Sequence, residues 1–132
     1  MSSRLETDNG QVLVVARSRI NQVVVSEIVH RCGLRAQSES IEKASGHLRS
    51  TRPRLIILDG GVENRDCDCL MEDIAALQRT SETRTPRVIM LSNRNGSVES
   101  LSLPSFVDAV VAKPITPERL QPVIDRLVRR GQ

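Results

Sequence analysis

Apolar and polar residues alternate along this chain in segments that differ in length and period. Continuous apolar runs bounded by turn residues favour strands that are buried on both faces of a parallel sheet. Four such runs predict strands at residues 11–15, 55–58, 87–91 and 106–112. The shorter and more polar segment 34–38 predicts a fifth strand at the edge of the sheet.

Amphipathic stretches separate these strands, with apolar residues three and four positions apart, as in helices that bury one face. They predict five helices: one over residues 18–32, one that opens at Glu39 or Ser40 and stops before Pro53, and three over residues 67–79, 98–103 and 116–130. The expected buried stripe of the first helix is Ile20, Val23, Val24, Ile28 and Val29. The fourth helix is the least regular, because it is short, serine-rich and followed by Pro104.

Strands that alternate with helices across short connections form right-handed crossovers, which give a parallel sheet with helices on both faces. The predicted fold class is therefore α/β, a flavodoxin-like three-layer sandwich with a five-stranded parallel sheet in the order 2-1-3-4-5 and five helices. Residues 1–10 are polar and are expected to form a flexible leader. Residues 11–132 then form a single predicted domain.

Composition narrows the functions that this fold could carry. The chain has one aromatic residue, Phe106, so it lacks platforms for stacking nucleic-acid bases and side chains to sandwich a flavin. Its net charge of +3 comes mainly from Arg. No helix-turn-helix or basic-region pattern accompanies this charge, so we expect no nucleic-acid partner. No apolar run approaches the roughly 20 residues that span a bilayer, so we expect no membrane partner.

The cysteines indicate reduced thiols and hence a cytoplasmic protein. Cys32, Cys67 and Cys69 are odd in number, which argues against a disulfide framework. Cys67 and Cys69 form a C-x-C pair, but Cys32 is distant, and His30 and His47 fall on other predicted helices. This spacing differs from that of a zinc site, so no metal site is expected there.

Chemically active side chains fall at the carboxyl ends of several strands. In the predicted strand order these ends meet at one crevice, and they carry Ala16 and Arg17, Asp59, Ser92 and Lys113. A carboxylate at this place can accept a phosphoryl group, whose oxygens an ammonium and a hydroxyl would then bind. The same spacing fits equally well an ion pair between Asp59 and Lys113 that only holds the strand ends together.

The order and spacing of four segments resemble the receiver domain of bacterial two-component response regulators. These segments are the VLVV strand, the LIILD strand ending in Asp59, the VIMLS strand ending in Ser92, and AVVAKPITPERL with Lys113–Pro114. The resemblance covers nearly the whole chain from Gln11 onward. It implies that Asp59 is the phosphoacceptor, that Ser92 and Lys113 contact the phosphoryl group, and that the Lys113–Pro114 peptide is cis.

The chain departs from the receiver pattern where that family binds Mg²⁺. Receivers end the first strand in a pair of acids, and the corresponding positions here are Ala16 and Arg17. Asp59, Lys113 and Arg17 sum to about +1, which opposes a divalent cation that needs oxygen ligands. We therefore expect magnesium binding to be weak or absent, no resident cofactor, and slow or absent metal-dependent phosphorylation.

Two details of this degenerate metal site stay open in the sequence. Arg17 could occupy the place of the metal and pair with Asp59, or it could point into solvent. Glu63 and Asp66 follow the third strand closely and could supply the missing acids.

The leading hypothesis is a stand-alone, atypical receiver that is not an enzyme and that signals through protein–protein interaction. Its expected partner is a histidine kinase, a phosphotransferase or a regulated target, bound through the face of the fourth predicted helix, the fifth strand and the last helix, residues 98–130. A homodimer is an open alternative. The second hypothesis is a receiver that a histidine kinase or phosphotransferase still phosphorylates on Asp59.

Overall fold

The computed structural model describes residues 11–61 and 65–130, with side chains up to Val128. One sheet contains five strands: β1 (Gln11–Val15), β2 (Arg35–Glu39), β3 (Leu55–Asp59), β4 (Arg87–Ser92) and β5 (Ala109–Ala112). All four pairings are parallel, in the order β2-β1-β3-β4-β5. The predicted flavodoxin-like fold is thus confirmed, while the predicted leader lies outside the described residues.

Helices cover both faces of this sheet. They are α1 (Arg19–Arg31), α2 (Ile41–Thr51), α3 (Met71–Thr80) and α4 (Pro117–Arg130), and a short 3-10 turn, Asp68–Leu70, leads into α3. Successive residues of a strand point to opposite faces, so each central strand contributes to two cores. Val14 and Ile57 belong to the core between the sheet and helices α1 and α4. Leu13 and Ile56 belong to the core between the sheet and helices α2 and α3.

The segment predicted as the fourth helix, residues 98–103, forms a single turn instead. The N–H of Leu103 donates to the carbonyl of Val98 at 3.0 Å, and Ser102 has a φ of 58°. A left-handed residue with this bonding pattern ends a helix. Serine side chains also bond backbone N–H groups within the turn, which competes with helical bonding. The described residues therefore contain four helices, and the prediction of five is wrong.

The buried face of α1 also differs from its prediction. The buried residues of the helix are Val25, Ile28 and Val29, whereas Ile20, Val23 and Val24 are 74%, 59% and 37% exposed. Apolar residues occupy more than one face of this helix, so spacing alone does not decide which face is buried. The helix packs against β1, β2 and α4 and leaves an apolar patch in solvent.

Candidate functional site

Asp59 is the last residue of β3, which lies between β1 and β4. The residue is 5% exposed, so its carboxylate depends on donors within the protein. Oδ1 accepts the Lys113 ammonium at 2.8 Å and the Gly61 N–H at 3.0 Å. Oδ2 accepts the side-chain amide of Asn21 at 2.6 Å. Three internal donors therefore hold both oxygens of this carboxylate.

Lys113 follows β5 directly and reaches across the carboxyl edge of the sheet. Its backbone N–H donates to the carbonyl of Ser92 at 2.8 Å, which extends the pairing of β5 with β4 by one bond. The Lys113–Pro114 peptide is cis. The side chain is 22% exposed, so its ammonium meets Asp59 at the mouth of the site and not deep inside the core.

Asn21 is a site residue that the sequence reasoning missed. It lies in the first turn of α1, where its backbone N–H donates to the hydroxyl of the N-cap residue Ser18. Helices that follow a parallel strand begin at the crevice, so a polar residue one turn after an N-cap serine can point at the end of a neighbouring strand. That was the available signal, but Asn also occurs commonly at exposed helix positions.

Ser92 ends β4 and is fully buried. Its hydroxyl oxygen accepts the backbone N–H of Arg94 at 2.9 Å, which leaves the hydroxyl hydrogen available for donation. Residue 91 is the one that pairs with Asp59 across β3 and β4. Ser92 therefore lies one residue beyond the residue that pairs with Asp59. Its hydroxyl oxygen faces the loop that follows β4.

Arg17 does not pair with Asp59 and lies largely in solvent, the second of the two orientations considered from the sequence. Its Nε lies 3.3 Å from Oδ2 of Asp66, and the two side chains are 69% and 30% exposed. The pair joins the loop after β1 to the loop after β3, on the solvent side of Asp59. Ala16 is buried and presents no side-chain oxygen. Neither position thus supplies an acidic ligand.

An open cleft of about 520 Å³ surrounds Asp59. Its charged lining residues are Arg17, Asp59, Asp66 and Lys113. Two cations and two carboxylates give these four side chains no net charge. The positive sum calculated from the sequence did not include Asp66. The N–H of Asp66 donates to the carbonyl of Gly60 at 3.1 Å, which holds this acid at the rim.

The described side chains of the cleft do not fit a magnesium ion, which requires near-octahedral oxygen ligands. Both oxygens of Asp59 accept internal donors, and Asp66 is paired with Arg17. Within residues 11–61 and 65–130, no cluster of three or more His, Cys, Asp and Glu side chains is placed to hold a metal ion. Glu63, the other acid considered as a replacement ligand, lies outside the described residues.

Cys67 lies directly beneath the site. Its thiol is fully buried and donates to the backbone carbonyl of Asp59 at 3.5 Å. Burial, reinforced by the nearby carboxylates of Asp59 and Asp66, raises the pKa of the Cys67 thiol to about 12. The thiol is therefore neutral at physiological pH and is a poor metal ligand or nucleophile. Cys69 is exposed, whereas Cys67 is buried.

Comparison of the sequence with protein-family models and with curated proteins finds no match. Solved structures do match. The chemotaxis response regulator CheY4 of Vibrio cholerae has 21% identity and a TM-score of 0.70, over 89% of this chain and 98% of that chain. The receiver domain of a putative Luxo repressor protein from Vibrio parahaemolyticus has 21% identity and a TM-score of 0.73, over 92% of each chain.

A putative pilus assembly-related protein from Burkholderia pseudomallei is also similar, with 15% identity and a TM-score of 0.69, over 93% of this chain and 92% of that chain. The chain therefore has the CheY-like fold of response-regulator receiver domains. The resemblance stated from the sequence is confirmed at the level of the fold. Among the helices of the described residues, none has the length and apolar character needed to cross a bilayer.

Proposed function

We propose that this chain is an atypical receiver module of two-component or phosphorelay signalling. It acts as a non-enzymatic cytoplasmic module that binds another protein, and its magnesium-dependent phosphorylation is weak or absent. The observation that carries the proposal is the arrangement around Asp59, whose two oxygens already accept Asn21, Gly61 and Lys113. The carboxylate is satisfied without a metal or a phosphoryl group.

The contacts of Asp59 set a barrier to phosphorylation. A metal or a phosphoryl donor competes with these donors for the two oxygens of Asp59, and a hydrogen bond to a charged group contributes about 1.5–3 kcal/mol. The cleft offers no compensating negative charge, because Arg17 and Lys113 offset its two carboxylates. Both effects oppose a dication and favour a receiver that holds one conformation.

Acetyl phosphate tests this proposal. The protein is incubated with acetyl phosphate and Mg²⁺, and its intact mass is followed beside a variant that carries Ala16→Asp and Arg17→Asp. We expect the wild-type chain to gain the phosphoryl mass at least about tenfold more slowly than this restored variant, because only the variant can offer acids to the metal. A wild-type chain that gains the phosphoryl mass as fast as a restored variant that is itself phosphorylated would show that the proposal is wrong.

The second candidate function is a receiver that is still phosphorylated on Asp59 by a histidine kinase or phosphotransferase. It is favoured by the Lys113 ammonium at 2.8 Å from the carboxylate and by the open cleft around it. In the same mass experiment, an adduct that forms on the wild-type chain and is lost in Asp59→Asn supports this candidate. No adduct on the wild-type chain supports the first.

We propose residues 98–130 as the surface that a kinase, phosphotransferase or regulated target contacts. The helix α4 places Arg119 and Arg126 in solvent on this face, while Val110 of β5 is only partly exposed. Charge reversal by Arg119→Glu or Arg126→Glu should weaken binding of a captured partner. Lys43→Glu on the opposite side of the sheet is the control, and an equal effect of all three would argue against this surface.

A further inference from the structure

Helix α1 carries an apolar patch that the fold leaves uncovered. Among the described residues, the large hydrophobic side chains that are well exposed are Ile20, Val23 and Val24, at 74%, 59% and 37%. All three lie within one turn and a half of the same helix, and residues three and four apart share a helix face. The patch therefore forms one continuous surface on α1.

Opposite charges flank this patch symmetrically. Arg19 lies four residues before Val23 and Glu27 lies four residues after it, and both side chains are exposed. Within the described residues neither forms an ion pair. Arg19, Val23 and Glu27 thus form one ridge of residues four apart, with a cation at one end and an anion at the other.

Two copies of this ridge are complementary in charge when they run antiparallel, because the cation of each copy then faces the anion of the other. In an antiparallel pair of helices related by a two-fold axis at Val23, the Arg19 of each chain faces the Glu27 of the other. Four residues of helix rise about 6 Å, so each ion pair lies about 6 Å from the axis. A two-fold interface requires one surface to match itself in this way.

We propose that the exposed face of α1 is a homodimer interface in which two copies of this helix pack antiparallel across Val23. Ile20, Val23 and Val24 supply the apolar centre, and two Arg19–Glu27 ion pairs close its sides. The charge pattern argues for a second copy, since a purely basic or purely acidic partner would meet one residue of like charge. The interface lies outside the residues that line the cleft, so it is independent of the function proposed for Asp59.

One pair of short helices makes a small interface, so the dimer is expected to be weak and to depend on concentration. Sedimentation equilibrium from micromolar concentration to about 1 mM measures the association. We expect Arg19→Glu and Glu27→Arg each to weaken it by about tenfold or more at low salt, because each change places two like-charged pairs across the axis. The double variant with both changes should restore the wild-type association.

Two further variants complete the test. Val23→Lys should abolish the dimer by placing two ammonium groups at the axis, and circular dichroism should show that the fold is kept. Glu42→Arg is the matched control, since Glu42 is equally exposed but lies on α2, on the other face of the sheet. A wild-type chain that stays monomeric throughout, or a dimer that both single charge reversals leave unchanged, would overturn the proposal. Failure of the double variant to restore association would overturn it as well.

Discussion

Asp59 and Lys113 connect two strands that are not neighbours in the sheet. Oδ1 of Asp59 at the end of β3 lies 2.8 Å from Nζ of Lys113 beyond β5, and β4 runs between them. The ion pair therefore spans three strand ends at the carboxyl edge of the sheet. Since Asp59 is almost completely buried and Lys113 is only partly so, the pair supplies most of the charge compensation that the carboxylate needs.

Removal of the Lys113 ammonium should destabilise the fold. We expect Lys113→Ala to lower the free energy of unfolding by about 2–3 kcal/mol, because a buried carboxylate then loses its cation. Urea unfolding followed by circular dichroism measures the effect. Lys43→Ala, which removes an exposed lysine of α2, should change the stability by no more than about 0.5 kcal/mol. Equal effects of the two lysine variants would mean that the pair does not stabilise the strand ends.

Loss of the Asn21 amide should destabilise the fold and should make Oδ2 of Asp59 more accessible to a phosphoryl donor. Asn21→Ala removes the donor that lies 2.6 Å from Oδ2 of Asp59, so we expect a loss of about 1–2 kcal/mol in the free energy of unfolding. It should also speed any reaction of Asp59 with acetyl phosphate, since one oxygen becomes free. Asn93→Ala is the control, because Asn93 lines the same cleft but is exposed. If the two variants behave alike in both measurements, Asn21 has no specific role.

The two neighbouring cysteines should differ sharply in reactivity. Burial and the adjacent carboxylates raise the pKa of the Cys67 thiol to about 12, so it stays protonated between pH 7 and pH 9, below the point at which thiolate would form. We expect iodoacetamide to alkylate exposed Cys69 in the folded protein and to leave Cys67 unmodified throughout this pH range. Peptide mass mapping distinguishes the two sites, and unfolding in urea should remove the difference. Rapid alkylation of Cys67 in the folded chain would contradict its buried position.

The sheet and the main site residues could be predicted because they depend on rules that are local in sequence. The continuous apolar run of β3 and the turn after it placed Asp59 at a strand end, and the alternation of strands and helices placed Lys113 beside it. The residues alone fitted phosphoryl chemistry and a plain ion pair equally well. The resemblance favoured the phosphoryl roles of Asp59, Ser92 and Lys113, which remain predictions.

The parts that the sequence did not reveal depend on side-chain direction. Asn21 reaches the cleft because of how α1 is rotated, which residue spacing does not encode. Asp66 was considered from the sequence, but its pairing with Arg17 was not. The apolar residues of α1 cover more than one face, so packing against β1, β2 and α4 decided that Val25 is buried and Val23 is not. At residues 98–103, serine side chains and a left-handed Ser102 ended a helix that apolar spacing alone suggested.

Titration with Mg²⁺ tests the central claim most directly, namely that Asp59 is held by internal donors in place of a metal. The chain has no Trp, so amide chemical shifts near Gly61 or calorimetry serve as the readout. We predict no saturable binding by the wild-type chain up to about 10 mM and clear binding by the variant with Ala16→Asp and Arg17→Asp. Saturable binding by the wild-type chain at about 1 mM or below, lost in Asp59→Asn, would contradict the account.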